Sequence, residues 1–210
     1  HNYVMQAGVC ILSLLNSSNE EEFYNIYILG ANDITNEDKN LLQQIIQVYY
    51  AQITFITMDD RFDNVFEIRG VSKSTYFRLM IPDLLPSYDK IIYSDVDVIF
   101  QSGLGDVLNI DLGNNYLGGI KAIGAENIKD YIKSLGLQVD KYINAGFLLI
   151  NASLQRKDNL FNEFKRHLNK QYQFQDQDII NIVCKDRLTF LPLKYCFTQK
   201  SYELYYTNPK

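Results

Sequence analysis

Apolar strand-like runs alternating with amphipathic helical stretches predict an α/β domain for this chain of 210 residues, with a mostly parallel central sheet and helices on both faces. Three observations carry that expectation. Lys90 to Phe100 is rich in Ile, Val and Tyr, as suits a strand covered on both faces. Shorter β-type runs, Phe23 to Leu29 and Gln52 to Thr57, flank a stretch with apolar residues at helical spacing. At 47% hydrophobic, the chain can bury a sizeable core, and residues 1–210 are read as one domain.

The elements follow in order. Val4, Ala7, Ile11, Leu14 and Leu15 give Tyr3 to Asn16 the spacing of an amphipathic helix, ended by the turn chemistry of Asn16-Ser17-Ser18-Asn19. After the Phe23 strand, Thr35 is placed to cap a helix running to about Tyr50, with Leu41, Leu42, Ile45, Ile46 and Tyr49 inward. Ser72 and Ser74 precede a second apolar-periodic helix that carries Arg78, and Pro82 and Pro86 bracket its exit into the Lys90 strand. Arg78 reads equally as a snorkelling surface cation or as a clamp for phosphate or carboxylate.

Beyond Phe100, Gly103-Leu104-Gly105 makes a turn and Leu104 to Leu108 a short helical one. Tyr116 to Lys121 is a strand, and Ala125 to Leu135 a helix stopped by Gly136. Tyr142 to Asn151 is a strand broken early by Asn144-Ala145-Gly146. Such a break allows close approach of another group to the backbone, and it equally fits a β-bulge. Leu154 to Asn169 reads as a charged amphipathic helix resting on Leu160, Phe161, Phe164 and Leu168. Gln175-Asp176-Gln177-Asp178 opens a last apolar helix, where an acid favours the helix N-terminus and one Asp readily serves as a cap.

Bulk properties exclude several classes of function. A net charge of −5 argues against a nucleic-acid partner held by a basic field. No apolar run approaches the roughly 20 residues of a membrane span, and no signal peptide is recognised. Cys10, Cys184 and Cys196 are too few and too scattered for a zinc site or disulfide framework, and read as buried thiols in a reducing compartment. His1 and His167 suggest no histidine-based triad.

Chemistry is most concentrated at Asp95-Val96-Asp97, which ends the most apolar strand. Acids are costly within such a strand, so they are expected where it emerges, at the carboxyl end where open α/β sheets bind ligands. If the chain stays extended, side chains two apart point the same way. Two hard oxygen donors then suit Mg²⁺ or Mn²⁺ shared with phosphate oxygens. A second Asp-x-Asp pair, Asp176 and Asp178, shows that the spacing alone is weak.

Five motifs fall in a telling order: Asn2-Tyr3-Val4; Ser74-Thr75-Tyr76-Phe77-Arg78-Leu79; Ile92-Tyr93-Ser94-Asp95-Val96-Asp97; Asn144-Ala145-Gly146 with Leu149-Ile150-Asn151; and Gln175 to Asn181. In that order and at that spacing the whole chain resembles the family 8 glycosyltransferases, especially bacterial retaining galactosyl- and glucosyltransferases. The resemblance implies a GT-A fold, a Rossmann-like α/β/α sandwich. It implies a UDP-sugar donor, UDP-galactose or UDP-glucose, a glycan acceptor such as lipopolysaccharide, and Mn²⁺ or Mg²⁺. By match to the family motifs, Asp95 and Asp97 are the metal ligands, with Asp95 and Val96 also at the nucleotide. Asn2 and Val71 belong to the nucleotide pocket, Arg78 contacts the donor, and Asn144, Ala145 and Asp176 contact the donor sugar. Gln177 lies beneath the anomeric carbon and is the catalytic residue.

An amide is a poor nucleophile, so attack from the leaving-group face is favoured, with the Gln177 carbonyl stabilising positive charge and the diphosphate helping to deprotonate the acceptor. The resemblance also implies that the domain is incomplete at both ends. The family's first strand, with an Asp at the uridine, precedes the Asn-Tyr. Its His-x-x-Gly-x-x-Lys-Pro-Trp motif, with a third metal ligand, has no counterpart before Lys210. Ile120-Lys121-Ala122 stands where an acid is common, which leaves acceptor choice open. A cytoplasmic protein is expected, peripheral at the inner membrane face through a C-terminal segment. Two other readings remain at this point. Asp95-Val96-Asp97-Val98 fits the haloacid-dehalogenase phosphatase pattern with Asp95 as nucleophile, although that pattern normally opens its domain. A non-catalytic nucleotide-sugar-binding module is the other.

Overall fold

The computed structural model describes residues 3–58, 62, 65 and 73–195. The described residues alternate strand and helix in the expected α/β manner. Two compact units form, His1–Asn64 with Ser94–Ile110, and Val65–Tyr93 with Asp111–Lys210.

In the first unit, β1 (Tyr24–Gly30) and β2 (Ala51–Thr57) pair in parallel, from Tyr24 opposite Ala51 to Gly30 opposite Thr57. Parallel neighbours need a crossover, and α2 (Asn36–Ile45) supplies it. The helix α1 (Val4–Ser17) buries Ala7, Ile11 and Leu15 in one cluster with Leu42 of α2 and Ile53 of β2. Gly8 permits this approach, because a Cβ there would stand 3.0 Å from Ile45 Cδ1. The Thr35 cap is present as a full capping box: its hydroxyl accepts from Asp38 N, and the Asp38 carboxylate accepts from Thr35 N. α2 stops at Ile45, short of the expected Tyr50, because the next residues must turn into β2, whose ladder begins at Ala51.

Residues 94–110 are strapped onto this unit. Ser17 Oγ donates to the Phe100 carbonyl at 3.1 Å, Phe100 N donates to Ser13 Oγ at 2.9 Å, and Leu104 N donates to Tyr24 Oη at 3.1 Å. The short helix α4 (Gly105–Leu108) follows. The Gly103 turn passes close to Glu22: a Cβ there would lie 2.4 Å from its Oε2, so a larger residue would displace that carboxylate.

The second unit holds a sheet in the order β3-β5-β4-β6, with β3 Lys90–Ser94, β4 Leu117–Lys121, β5 Ile143–Asn151 and β6 Leu188–Phe190. β4 runs antiparallel to β5 and parallel to β6, so this sheet is mixed, where a mostly parallel one was expected. The cause is local. The chain leaves β4 at Lys121 and returns at Ile143, its partner in the ladder, so it re-enters from the same end. Gly119 lets the strands close, since a Cβ there would meet Ile143 Cδ1 at 2.5 Å.

Around the sheet lie α3 (Ile81–Leu84), α5 (Lys129–Ser134), α6 (Ala152–Lys157), α7 (Leu160–Lys165) and α8 (Gln175–Cys184). The Arg78 segment, Lys73–Met80, is a 3-10 helix that buries Tyr76, Phe77, Leu79 and Met80. The helix expected over Leu154 to Asn169 is instead two. Asn159, at φ 52°, takes the left-handed conformation that asparagine tolerates better than most residues, and it divides α6 from α7.

Thr35→Ala is expected to cost about 1 kcal/mol at neutral pH, read from urea unfolding. The Asp38 carboxyl sits below its ordinary range, first because of the Thr35 backbone hydrogen bond. A depressed carboxylate adds stability above its unfolded value and loses it as pH falls through the folded one. The destabilisation by Asp38→Asn should therefore be full at pH 7 and fade in acid below the ordinary aspartate range.

Candidate functional site

The site in the second unit grows from a defect in the β4–β5 ladder. Gly119 pairs with Leu148 and Ile120 with Asn144, so residues 145–147 bulge out of register. Side chains from elsewhere take the polar groups of the displaced peptide: Ala145 N donates to Gln177 Oε1 at 3.1 Å, and the Ala145 carbonyl accepts from Arg78 Nη1. Asn144 Oδ1 accepts from Gly146 N at 2.8 Å and shapes the bulge itself. Just before it, Asn181 of α8 accepts from Ile143 N at 2.8 Å and donates to both the Ile143 and Gln177 carbonyls at 2.9 Å. The small-residue break thus resolves as a bulge that other groups do approach closely.

Arg78 and Asp176 are both buried. Arg78 Nε donates to the Thr75 carbonyl and lies 2.9 Å from Asp176 Oδ2, a charge contact with side chains only 7% and 6% exposed. The guanidinium also stands over the Tyr93 ring, 4.6 Å from its centre. Arg78 is therefore no snorkelling surface cation. It neutralises an acid that could not be buried alone, and it ties the 3-10 helix to β5 and α8.

Two residues further along α8, Asp178 is wholly buried. Its Oδ1 accepts from Tyr142 Oη, and its Oδ2 accepts from Tyr131 Oη at 2.6 Å and from Phe174 N at 2.8 Å. The expected Asp cap is not formed: Phe174 holds the N-cap position without a side-chain cap bond, and Asp178, already inside the helix, accepts from the Phe174 backbone while its other bonds lead inward. Burial, and then the Asp178 charge, push the Tyr142 phenol far above its ordinary value, so its proton stays in place. Burial and the bond to Asp178 do the same for Tyr131. Tyr142 Oη in turn accepts from Gln177 Nε2 at 3.2 Å. Gln177 is half-buried, held at both ends of its amide.

Asp95, Val96 and Asp97 belong to the first unit. Asp95 follows directly on β3, but Val96 and Asp97 form a bend, so the extended spacing that would align the two acids does not hold there. Their charges nonetheless act on one group. Burial first, then Asp97 and Asp95, raise the Cys10 thiol to about 11, against hydrogen bonding to the Val98 backbone. Cys10 Sγ also faces the Asp95 carbonyl at 3.8 Å. Both acids therefore bear on the same locality beside α1, with Asp97 exposed. Among the described residues no three His, Cys, Asp or Glu side chains gather as a metal cluster. Two carboxylates fit a hard divalent ion whose remaining positions are filled by phosphate oxygens and water.

The structure therefore brings Arg78, Asn144, Ala145, Asp176 and Gln177 together, and sets Asp95, Val96 and Asp97 in the other unit. Asn2 and Val71 lie outside the described residues. Sequence reasoning passed over Tyr131, Tyr142, Asp178 and Asn181. The signal for Asp178 was its place in the second Asp-x-Asp pair; that for Tyr142 was a phenol at the start of a buried strand, where a partner is required.

The family described as "Glycosyl transferase family 8" matches residues 1–210. A Haemophilus influenzae protein carrying a glycosyltransferase name is 32% identical over 211 residues, spanning 97% of this chain and 63% of that protein. The lipopolysaccharide 1,3-galactosyltransferase of Salmonella typhimurium is 25% identical over 206 residues, spanning 92% of this chain and 60% of its own. The crystal structure of the galactosyltransferase LgtC with donor and acceptor sugar analogues superposes with a TM-score of 0.86 at 26% identity, over 97% of this chain and 75% of that one. The chain spans 63% and 60% of the length of these two curated relatives.

Breaking the buried pair should be costly. Arg78→Met leaves the Asp176 charge uncompensated and is expected to lower stability by about 3–5 kcal/mol in urea unfolding, with Arg78→Met/Asp176→Leu recovering part of the loss.

Proposed function

The chain belongs to glycosyl transferase family 8, with the GT-A fold of its structural neighbours, and from that premise we propose that it handles the donor in a retaining transfer of a hexose from UDP-galactose or UDP-glucose to a glycan. The observation that carries this reading is the constellation at the β5 bulge. Arg78, Asn144, Ala145, Asp176 and Gln177 come from three distant stretches of chain, each within a motif by which the sequence resembles the family, and they meet at one bulge. The phosphatase alternative rested on Asp95 to Val98 alone, whereas the family match runs over residues 1–210.

In this reading Asp95 and Asp97 hold the divalent ion, Mn²⁺ or Mg²⁺, with Val96 between them at the nucleotide. When bound, such an ion offsets the charge that builds on the departing diphosphate. Asn2 and Val71 are assigned to the nucleotide pocket. Asn144, Ala145 and Asp176 meet the donor sugar, and Arg78, assigned with them to the donor, also holds Asp176 and the Ala145 carbonyl in place. Gln177 turns a neutral carbonyl oxygen toward the sugar. Ala145 N occupies one lone pair of that oxygen, and the other is available to stabilise an oxocarbenium-like centre. The acceptor then attacks from the face the diphosphate leaves, and the diphosphate takes up its proton.

The relatives named for lipopolysaccharide transfer in Salmonella typhimurium and Escherichia coli support lipopolysaccharide, or another cell-surface glycan, as the acceptor. No helix among the described residues is long and apolar enough to cross a membrane. A cytoplasmic enzyme, peripheral at the inner membrane face, is the location that fits this acceptor. Galactose and glucose differ at one hydroxyl, so the sugars are separated by a donor screen reading UDP release.

Asp95→Ala and Asp97→Ala should each abolish the Mn²⁺-dependent part of UDP affinity in calorimetry, with unfolding curves close to those of the parent protein. Unchanged metal dependence in both variants would remove them from this role, and steady phosphomonoester hydrolysis without UDP-sugar turnover would restore the phosphatase reading.

A further inference from the structure

We propose that Asp178 and Tyr142 are positioning residues that fix which end of the Gln177 amide faces the donor sugar, an inference that rests on the transferase reading for its catalytic consequence. The available protons dictate the orientation. Asp178 has three donors aimed at it, the Tyr142 and Tyr131 hydroxyls and the Phe174 amide, and its carboxylate oxygens accept all three. Tyr142 is 1% exposed and has one hydroxyl proton, which it donates in a hydrogen bond to this carboxylate. Its oxygen can then only accept from its remaining neighbour, Gln177, so the end turned to it must be Nε2. That places Oε1 against the Ala145 N–H. Turning the amide over would set oxygen against oxygen at Tyr142 and N–H against N–H at Ala145.

The same chain of bonds has an electronic effect. A phenol oxygen whose proton is drawn to a carboxylate accepts more strongly, and an amide N–H donating to it leaves its carbonyl oxygen more negative. That carbonyl is the atom assigned to the developing positive charge. Asp178 thus acts on the reaction through Tyr142 and Gln177, without being placed at the sugar itself. Gln177 is only half-buried, while Asp178 and Tyr142 are sealed behind it.

The test uses full-length protein with Mn²⁺ and UDP-galactose or UDP-glucose, whichever the parent turns over, with UDP release as the readout. Tyr142→Phe is expected to lower kcat by roughly 10- to 100-fold, the scale of a misplaced reacting group, with donor KM within about threefold of the parent. The decisive comparison is the cycle with Gln177→Ala: the loss should vanish in that background, because Tyr142 has nothing left to orient. An equal loss in both backgrounds means a purely structural role and overturns the proposal. A second readout needs no turnover. Hydrogen exchange of the Gln177 side-chain amide, followed by NMR, should be slow in the parent and fast in both Tyr142→Phe and Asp178→Asn. Unchanged exchange in both folded variants overturns the proposal. Parent protein that releases no UDP from either donor, yet shows this exchange pattern, sinks the transferase reading and upholds the positioning.

Discussion

A peptide group pushed out of a sheet ladder cannot be left without hydrogen-bond partners inside a protein, and that constraint organises the site. The bulge in β5 displaces residues 145–147 from β4, and Ala145 is too small to satisfy anything by itself. Its N–H and carbonyl are met instead by Gln177 and Arg78, which arrive from α8 and from the Lys73–Met80 turn. A defect in one strand therefore recruits two other segments and fixes their side chains at one point. Asn181 strengthens the arrangement by closing α8 onto the backbone immediately before the bulge.

Two buried acids, two residues apart on α8, are kept in different ways. Asp176 faces the Arg78 guanidinium, so its charge is matched by a charge. Asp178 is instead surrounded by hydroxyl and amide donors, from Tyr131, Tyr142 and the Phe174 backbone. A buried ion pair adds little net stability once desolvation is counted, and a carboxylate held by neutral donors demands that every donor be present. Both arrangements therefore favour a single fixed geometry over raw stability, which suits residues that flank a reacting group.

Much of this was legible in the sequence. The helix α1, the strands β1 and β2 and the helix α8 follow from hydrophobic period alone, and the Thr35 cap from its place before an apolar-periodic run. The direction of β5 was not legible, because it depends on where the chain returns after a long excursion, and no local pattern records that. Nor was the break at Asn159, where a left-handed asparagine interrupts a stretch whose apolar spacing continues through it. Of the candidate site, Arg78, Asn144, Ala145, Asp176 and Gln177 were singled out in the sequence and lie together at the bulge, which Asn144-Ala145-Gly146 announced by its small side chains. Tyr142 and Asp178 were missed as a pair because their meaning lies in a shared proton, which only proximity creates. The alignment argued for Asp95 and Asp97 assumed an extended chain, and the bend at Val96 replaces it with a common locality beside Cys10.

The way the Gln177 amide is held also explains why an acid would be a poor occupant of that position. With the Tyr142 hydroxyl already donating its one hydrogen bond to Asp178, a glutamate at 177 would press a second anionic oxygen against a phenol with no donor to spare. Either the new acid would have to capture a proton from solution, or the tyrosine would turn and abandon Asp178 in the interior. The cradle is matched to an uncharged, two-ended side chain, and the choice of amide over acid is written into groups that themselves stand back from the sugar.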